Sequence, residues 1–488
     1  MEDGKRHYSW RTVAVVLGIS WNAICYSYSA SIIGTTLGQP SFLSYMGLDR
    51  RSDKQGLIGT ATGLYYAGGV FGCIFNSWMA DKFGRKWVIV VANVILLTSS
   101  ACLSGSASIA MFIVFRFFTG FSAYMLYLTT PLWVVELVPP NGRSITAGMV
   151  GLCGVTGYIL AAYVGVGFFY LSSDTSAQWR APLAIGCFPP VISLLIVYWL
   201  PESPRWLLSQ DRETKAWEII RRLHTIPHED ESGYAEAEFA QMRDQSETER
   251  LHNSSWSELM TNSFYRKRTI LVIALPAIIF STGNLVITTY AASIFSHLGY
   301  GSGQSINLLA GIYVAAVAGN LFSLTYIDHV PRNVIMALGT LLCTLVLGIE
   351  TALVASCANP EAAHRGSLLS AAAAFIFLYL FTFNTSLEGP SWYYASEVFP
   401  TSLRTKGMTL NVISFALINL FWLELAPTAF ATITWKFYLV FVSISVLGSA
   451  FIFFAFPDTL KQPLEKIAGM PPDGNELKNS HSIHQEES

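Results

Sequence analysis

Acidic and basic side chains recur at fixed spacing along this chain, and the chemistry they offer is ion pairing. Glu136 precedes Arg143 with Pro139 between them, and Glu397 precedes Arg404 with Pro400 between them, 261 residues further on. Asp81 precedes Arg85, and Asp328 precedes Arg332 at an offset of 247. The run Pro201-Glu202-Ser203-Pro204-Arg205 is echoed by Pro457-Asp458-Thr459-Leu460-Lys461 at an offset of 256. A duplicated unit accounts for all three offsets. Arginine meets a carboxylate through two parallel N–H donors, so such pairs fix register as well as attract. At helix ends they can form when the ends close and separate when they part. That makes Asp81, Arg85, Glu136, Arg143, Glu202, Arg205, Asp328, Arg332, Glu397 and Arg404 a candidate gate. The competing reading is plain helix capping and topology-setting charge.

One further carboxylate stands alone in an apolar run, in Thr385-Ser386-Leu387-Glu388-Gly389-Pro390-Ser391-Trp392. A charge at bilayer depth is costly and marks a functional candidate. Glu388 would carry a coupling proton, pair with a cationic group of a substrate, or serve as a structural partner where Gly389-Pro390 breaks the helix. Glu350 and Glu424 also lie in apolar stretches, but nearer their outer ends, where snorkelling suffices. Enzyme chemistry finds little support. The seven cysteines show no CxxC spacing, and all but Cys357 lie in apolar runs, where thiols act as small hydrophobes. The nine histidines pair with no cysteine or carboxylate at metal-ligand spacing, so no metal or cofactor is expected. No GxxxxGK[ST] phosphate loop occurs.

These side chains need elements to hold them. Of 488 residues, 52% are apolar and 13% charged, about half the charged fraction of a soluble domain. Mean hydropathy is +0.43. The net charge of −2 gives no basic field for nucleic acid. A bilayer core of about 30 Å needs about 20 apolar helical residues. Twelve such stretches fall near 12–34, 56–80, 87–108, 111–135, 146–169 and 181–200, then 269–296, 305–327, 333–357, 369–396, 408–431 and 435–457. The expected fold is an all-α polytopic membrane protein of twelve transmembrane helices in two six-helix halves, 12–200 and 269–457. Flanking them are an N-terminal segment 1–11, a charged connection 201–268 and a tail 458–488. Two such halves around a midplane site are the parallel-repeat architecture of transporters.

Lys and Arg orient the chain. With both termini in the cytoplasm, 23 of the 30 basic residues fall on that side, as the positive-inside rule requires. No small-residue cleavage site follows the first apolar stretch, so no removable signal peptide is expected. Within the connection, apolar residues at 216, 217, 219, 220 and 223 predict an amphipathic helix over 211–223, and 233–259 is a second candidate. A solvated linker with helical fragments is the alternative. The tail after about 468 is polar and predicted to be disordered.

At these residues the chain resembles the sugar porter family of the major facilitator superfamily, particularly its fungal members. The resemblance rests on Asp81-Lys82-x-Gly84-Arg85-Lys86, on Arg116 with Glu136 and Arg143, and on Pro201-Glu202-Ser203-Pro204-Arg205-Trp206-Leu207-Leu208. It continues in Trp392, in Glu397-Val398-Phe399-Pro400, in Arg404-x-Lys406-Gly407 and in Trp435-Lys436-Phe437-Tyr438. It covers about residues 12–467. It implies twelve helices, a cytoplasmic helical bundle between the halves, and alternating access. A monomeric, multi-pass protein of the plasma membrane is expected, moving a sugar or other small organic solute, with protons as a candidate second partner. A non-transporting nutrient sensor of the same fold is a second class, disfavoured by a tail of only 21 residues after Ile467.

The departures concern the cavity. Counting from nearby motifs, a family Gln-Gln pair in the seventh helix falls on Ile279 and Phe280, and a fifth-helix Gln falls on Gly151. A seventh-helix Asn falls on Leu285, and an Asn-Trp pair in the eleventh helix falls on Phe415 and Ala416. Trp392 is kept. The first-helix Asp of proton-coupled relatives reads Ser29. A buried hydroxyl without a partner costs about 1–3 kcal/mol, so these changes point to a less polar ligand than a hexose. The competing explanation is a sugar pocket relined by other polar groups: Asn284, Thr288, Thr289, Tyr290, Asn320, Asn384, Asn411 and Asn419. Arg116 is expected to organise the first and fourth helices.

Overall fold

A computed structural model describes residues 10–138, 143–171, 175–224, 232–251, 256–323, 325–326, 329–357, 365–399 and 401–458. Among them, twelve helices are long and apolar enough to cross a bilayer. Spans 1–6 are Trp10–Leu37, Lys54–Phe83, Arg85–Ser104, Ile109–Leu137, Gly148–Tyr170 and Ser176–Val197. Spans 7–12 are Tyr265–Leu298, Ser302–Ser323, Arg332–Ser356, Gly366–Trp392, Thr405–Thr432 and Thr434–Ala455. At 1.5 Å per residue even the 20-residue span 3 covers about 30 Å, the bilayer core. The twelve stretches expected from hydropathy correspond one to one with these spans, in two halves of six.

Three spans are interrupted. Span 6 breaks between Ile185 and Phe188, just before Pro189-Pro190. Span 7 breaks after Phe280 and restarts at Asn284, with Gly283 in the left-handed region at φ +91°. Continuous hydropathy hid this second break. In span 10 the helix does not end at Gly389-Pro390, as the dipeptide suggested. It widens into a π-turn over Asn384–Glu388 and resumes as Gly389–Glu397. Proline lacks an N–H and crowds the carbonyl four residues back, and a π-turn absorbs both defects without breaking the helix.

Within the first half, spans 2 and 4 pack closely through glycines: the backbone oxygen of Tyr65 lies where a side chain on Gly120 would begin. Small residues let helix backbones approach in this way where no hydrophobic drive operates. The halves meet along span 2 against span 11, span 5 against span 8, and span 1 against span 7. A twofold operation exchanging the halves maps the first two pairs onto each other and the third onto itself, which fits the repeated charge code.

The connection is structured rather than a solvated linker. It contains helices Pro204–Ser209, Glu213–His224, Ser232–Leu251 and Glu258–Thr261. The pattern over 211–223 is realised nearly in place, and the candidate over 233–259 splits in two. Leu207, Leu208, Ala216, Ile220, Ala235 and Met242 form a core of their own. Thr12 at the start of span 1 donates to the Leu223 carbonyl at 2.6 Å, tying this bundle to the membrane domain. The predicted tail after 468 and Asp328 lie outside the described residues.

Candidate transport site

The face that carries the start of span 1, the end of span 12 and the helices of the 201–268 connection is the charged face. There Arg85 lies against Glu136: Nη2 donates to Oε1 at 2.8 Å and Nε to Oε2 at 3.0 Å, with both residues over nine-tenths buried. A third donor, Nη1, reaches the Ala80 carbonyl at 3.0 Å. The Glu202 carboxylate accepts backbone N–H groups of Ser203, Arg85 and Lys86 at 2.9, 3.0 and 3.3 Å. It therefore caps the N-terminus of span 3, where free N–H groups and the helix dipole favour an anion. Burial pushes the Glu202 carboxyl up from its ordinary range, and these three donors act against that shift. The second half repeats the cap: the Arg332 N–H donates to Asp458 Oδ1 at 3.3 Å.

These described contacts join groups of one half. Across the halves, Asp81 is close enough for Lys406 to act on it, as does Arg85 of its own half, and Ser77 Oγ of span 2 lies 3.5 Å from Thr409 Oγ1 of span 11. Trp206 donates to the Asp81 carbonyl at 3.0 Å, and Arg205 stands beside it in the first turn of Pro204–Ser209. Arg143, Glu397 and Arg404 lie at the ends of helices Arg143–Leu171, Gly389–Glu397 and Thr401–Thr432; the positions of their side chains are not among those described. Next to this face a recess of about 670 Å³ opens beside the contact of spans 2 and 11. Trp78, Asp81 and Lys82 line it on one side, Thr409 and Ile413 on the other, with Trp256 of the connection.

Midway along the spans, rings of both halves converge. Tyr127 of span 4 meets Tyr26 of span 1 at 4.9 Å and Trp392 of span 10 at 5.3 Å, each nearly at right angles. Phe415 of span 11 touches Trp392 at 5.9 Å, Tyr124 at 6.1 Å, Tyr127 at 6.2 Å and Phe280 of span 7 at 4.5 Å. Tyr158 of span 5 stacks on Tyr313 of span 8 at 5.7 Å. Glu388 sits in the π-turn with the Trp392 indole beside it, and Tyr26, Tyr127 and Tyr158 near enough to feel its charge. Gly151 has nothing within 4 Å of where a side chain would begin. Phe280, Phe415 and Gly151 are three of the positions where the family resemblance expects amides. The tyrosines were missed from the sequence; their one signal is spacing such as Tyr124 and Tyr127, which puts two rings on one helix face.

The other polar candidates divide. Asn284 and Asn419 each keep a buried Oδ1 that no described group satisfies. Asn384 donates to the Leu380 carbonyl, and its Oδ1 takes the Asn320 amide at 3.4 Å. Thr288 and Thr289 are half-buried, and Thr288 bonds back to its own helix. Two of the candidates bond between helices. The Asn411 amide donates to the Val272 carbonyl at 3.0 Å, holding span 11 on span 7. The Tyr290 hydroxyl donates to the Leu423 carbonyl at 2.9 Å and meets Thr62 Oγ1 at 2.6 Å, joining the halves away from the chamber.

That contact belongs to the opposite face, where the halves touch directly. Thr60 Oγ1 donates to Glu424 Oε1 at 2.8 Å. A Cβ on Gly59 would fall 2.5 Å from the Glu424 carbonyl, and one on Gly63 2.6 Å from its Oε2. Gly38 packs on Ala292, and Asn307 donates to the Tyr170 hydroxyl at 3.1 Å. Glu424 therefore clasps span 2 rather than snorkelling. Glu350 does not snorkel either: it is 1% exposed, and neither oxygen has a partner among the described residues. Arg116, also 1% exposed, donates to the carbonyls of Ser29 at 3.1 Å and Ala61 at 3.3 Å and lies 4.5 Å over the Tyr65 ring. It joins spans 1, 2 and 4 through two carbonyls and a ring face.

Two six-span halves about a shared chamber, shut on one side, define a membrane transporter of the major facilitator fold. Residues 15–470 match the family described as "Sugar (and other) transporter", and the chain belongs to that family. It is 29% identical over 457 residues to the MFS-type transporter criB of Aspergillus cristatus, covering 93% of this chain and 91% of that one. It is 23% identical over 472 residues to the quinate permease of Emericella nidulans, covering 94% and 88%. Among solved structures, the proton:xylose symporter XylE bound to 6-bromo-6-deoxy-D-glucose superposes with a TM-score of 0.77 at 18% identity, over 94% of this chain and 98% of that one. Inward-open XylE from E. coli gives 0.74 at the same identity, over 94% and 99%.

Proposed function

We propose that this chain moves a small organic solute by alternating access, with the ring-lined chamber as its binding site and the charged face toward the cytoplasm. The observation that carries the reading is the chamber's shared construction. Spans 1, 4 and 5 of one half and spans 7, 8, 10 and 11 of the other supply its walls, so rocking the halves re-exposes it on the other side. Asn284, Thr288, Thr289, Asn384, Asn419, Glu388 and Trp392 are the proposed substrate contacts. The Asp81, Arg85, Glu136, Arg143, Glu202, Arg205, Asp328, Arg332, Glu397 and Arg404 clusters are the proposed gate at the inner rim. The Lys and Arg distribution supports cytoplasmic termini, and family membership supports a monomer in the plasma membrane.

The solute we favour is less polar than a hexose. Ile279, Phe280, Gly151 and Phe415 leave few partners for a sugar's hydroxyls, and each unpaired hydroxyl costs about 1–3 kcal/mol. Glu388 is the proposed proton carrier should uptake be coupled, since Ser29 offers no carboxylate in span 1. The test is flux into proteoliposomes of the purified protein, with xylose, quinate and less polar ring compounds as labelled probes, with and without a pH gradient. Saturable flux of one probe, lost in Trp392→Ala, is expected. Saturable binding without flux would replace the carrier by a sensor.

A further inference from the structure

Among the described residues, the chamber holds a carboxylate and no cation. Among the described residues, the groups facing Glu388 are the Trp392 indole on its own span and the phenols of Tyr26, Tyr127 and Tyr158 on spans 1, 4 and 5. No Lys, Arg or His acts on it. Arg116, buried in span 4 of the other half, is engaged by two carbonyls and the Tyr65 ring. Beside the carboxylate, rings of both halves meet edge to face. Tyr26 stands at 88° to Tyr127, Trp392 at 76° to Tyr127, and Phe415 at 76° to Trp392, with centroids 4.9–5.9 Å apart along this chain of contacts. All four rings are partly exposed.

From this geometry we infer that the chamber is built for an organic cation: a protonated amine carried on an apolar body of about ring size. The inference rests on the carrier reading and specifies its substrate. Aromatic faces carry negative charge density and attract cations, most strongly where water is excluded. A half-buried carboxylate at this depth is costly without a counter-charge, and an entering ammonium supplies that counter-charge together with N–H donors. A hexose would find ring faces where it needs amides. An organic anion would meet Glu388 with no basic group to hold it. Asn284 and Asn419, with their unsatisfied buried oxygens, offer two further acceptors and no charge.

The experiment needs no variant for its first arm. Calorimetric titration of the purified wild-type protein compares phenethylammonium with its uncharged analogue phenethyl alcohol, its anionic analogue 3-phenylpropionate, and glucose. The ammonium is expected to bind about tenfold more tightly than the alcohol, with the other two weaker still. Glu388→Gln is expected to lower ammonium affinity to that of the alcohol and leave the alcohol unchanged. Tighter binding of 3-phenylpropionate or glucose than of the ammonium overturns the inference, as does ammonium affinity indifferent to Glu388→Gln. Counterflow of labelled probe separates the two readings. Binding of the ammonium without exchange refutes the carrier and keeps the cation site. Exchange of glucose or quinate without ammonium binding refutes the cation site and keeps the carrier.

Discussion

At the opposite face the two halves touch through backbone and small side chains; at the charged face each half is stitched to itself. Gly59 and Gly63 let Glu424 lie directly on span 2, and Tyr290 reaches Thr62 across the seam. At the other end, Arg85 closes on Glu136 and Glu202 caps span 3, all within the first half, while a recess of about 670 Å³ opens beside the contact of spans 2 and 11. The two ends do different work. Close apolar contact with a few hydrogen bonds can be undone at small cost, as a moving seam requires. A bidentate buried pair is expensive to open once one partner is lost, so the first half's share of the proposed gate moves as one piece.

Three substitutions probe this contrast, in falling order of effect. Removing one partner of the buried pair, in Glu136→Ala, leaves the Arg85 guanidinium uncompensated and is expected to destabilise the protein by about 3–5 kcal/mol. Thermal unfolding in detergent checks it, and a loss below about 1 kcal/mol would mean that the block is not held by this pair. Gly59→Leu places atoms on the Glu424 backbone; overpacking of about 1–3 kcal/mol should open the opposite face while the fold survives. Labelling of a Thr289→Cys reporter from that side should then speed up, and unchanged labelling would show that the seam yields elsewhere. Tyr290→Phe removes hydrogen bonds to Leu423 and Thr62 only, worth about 1 kcal/mol. Spin-label distances across the seam should show a modest gain of the open arrangement, and a shift as large as that of Gly59→Leu would make Tyr290, not glycine packing, the main clasp.

Much of this architecture was legible in the chain. Apolar run length set the number of spans, and the repeats at 136–143 and 397–404 set the division into halves. Glu388 and Trp392 drew notice because a carboxylate and a Gly-Pro pair are out of place in an apolar helix. The tyrosines of the chamber did not stand out. A span that is apolar all round carries no moment to say which face meets lipid, which a neighbouring helix, and which a cavity. The same gap misled at Glu350 and Glu424, whose depth was readable but whose direction was not, and at Tyr290 and Asn411, whose hydrogen-bonding groups serve helix contacts.

By itself the sequence determined the helices, their number and their duplication, because hydrophobic run length acts locally on each segment. Only the tertiary structure decided that Phe280, Phe415, Trp392, Tyr26 and Tyr127 meet beside Glu388, and that the halves close on the side away from the charges. Those facts depend on the rotation of each helix about its axis, which close packing between distant segments fixes and no single segment encodes.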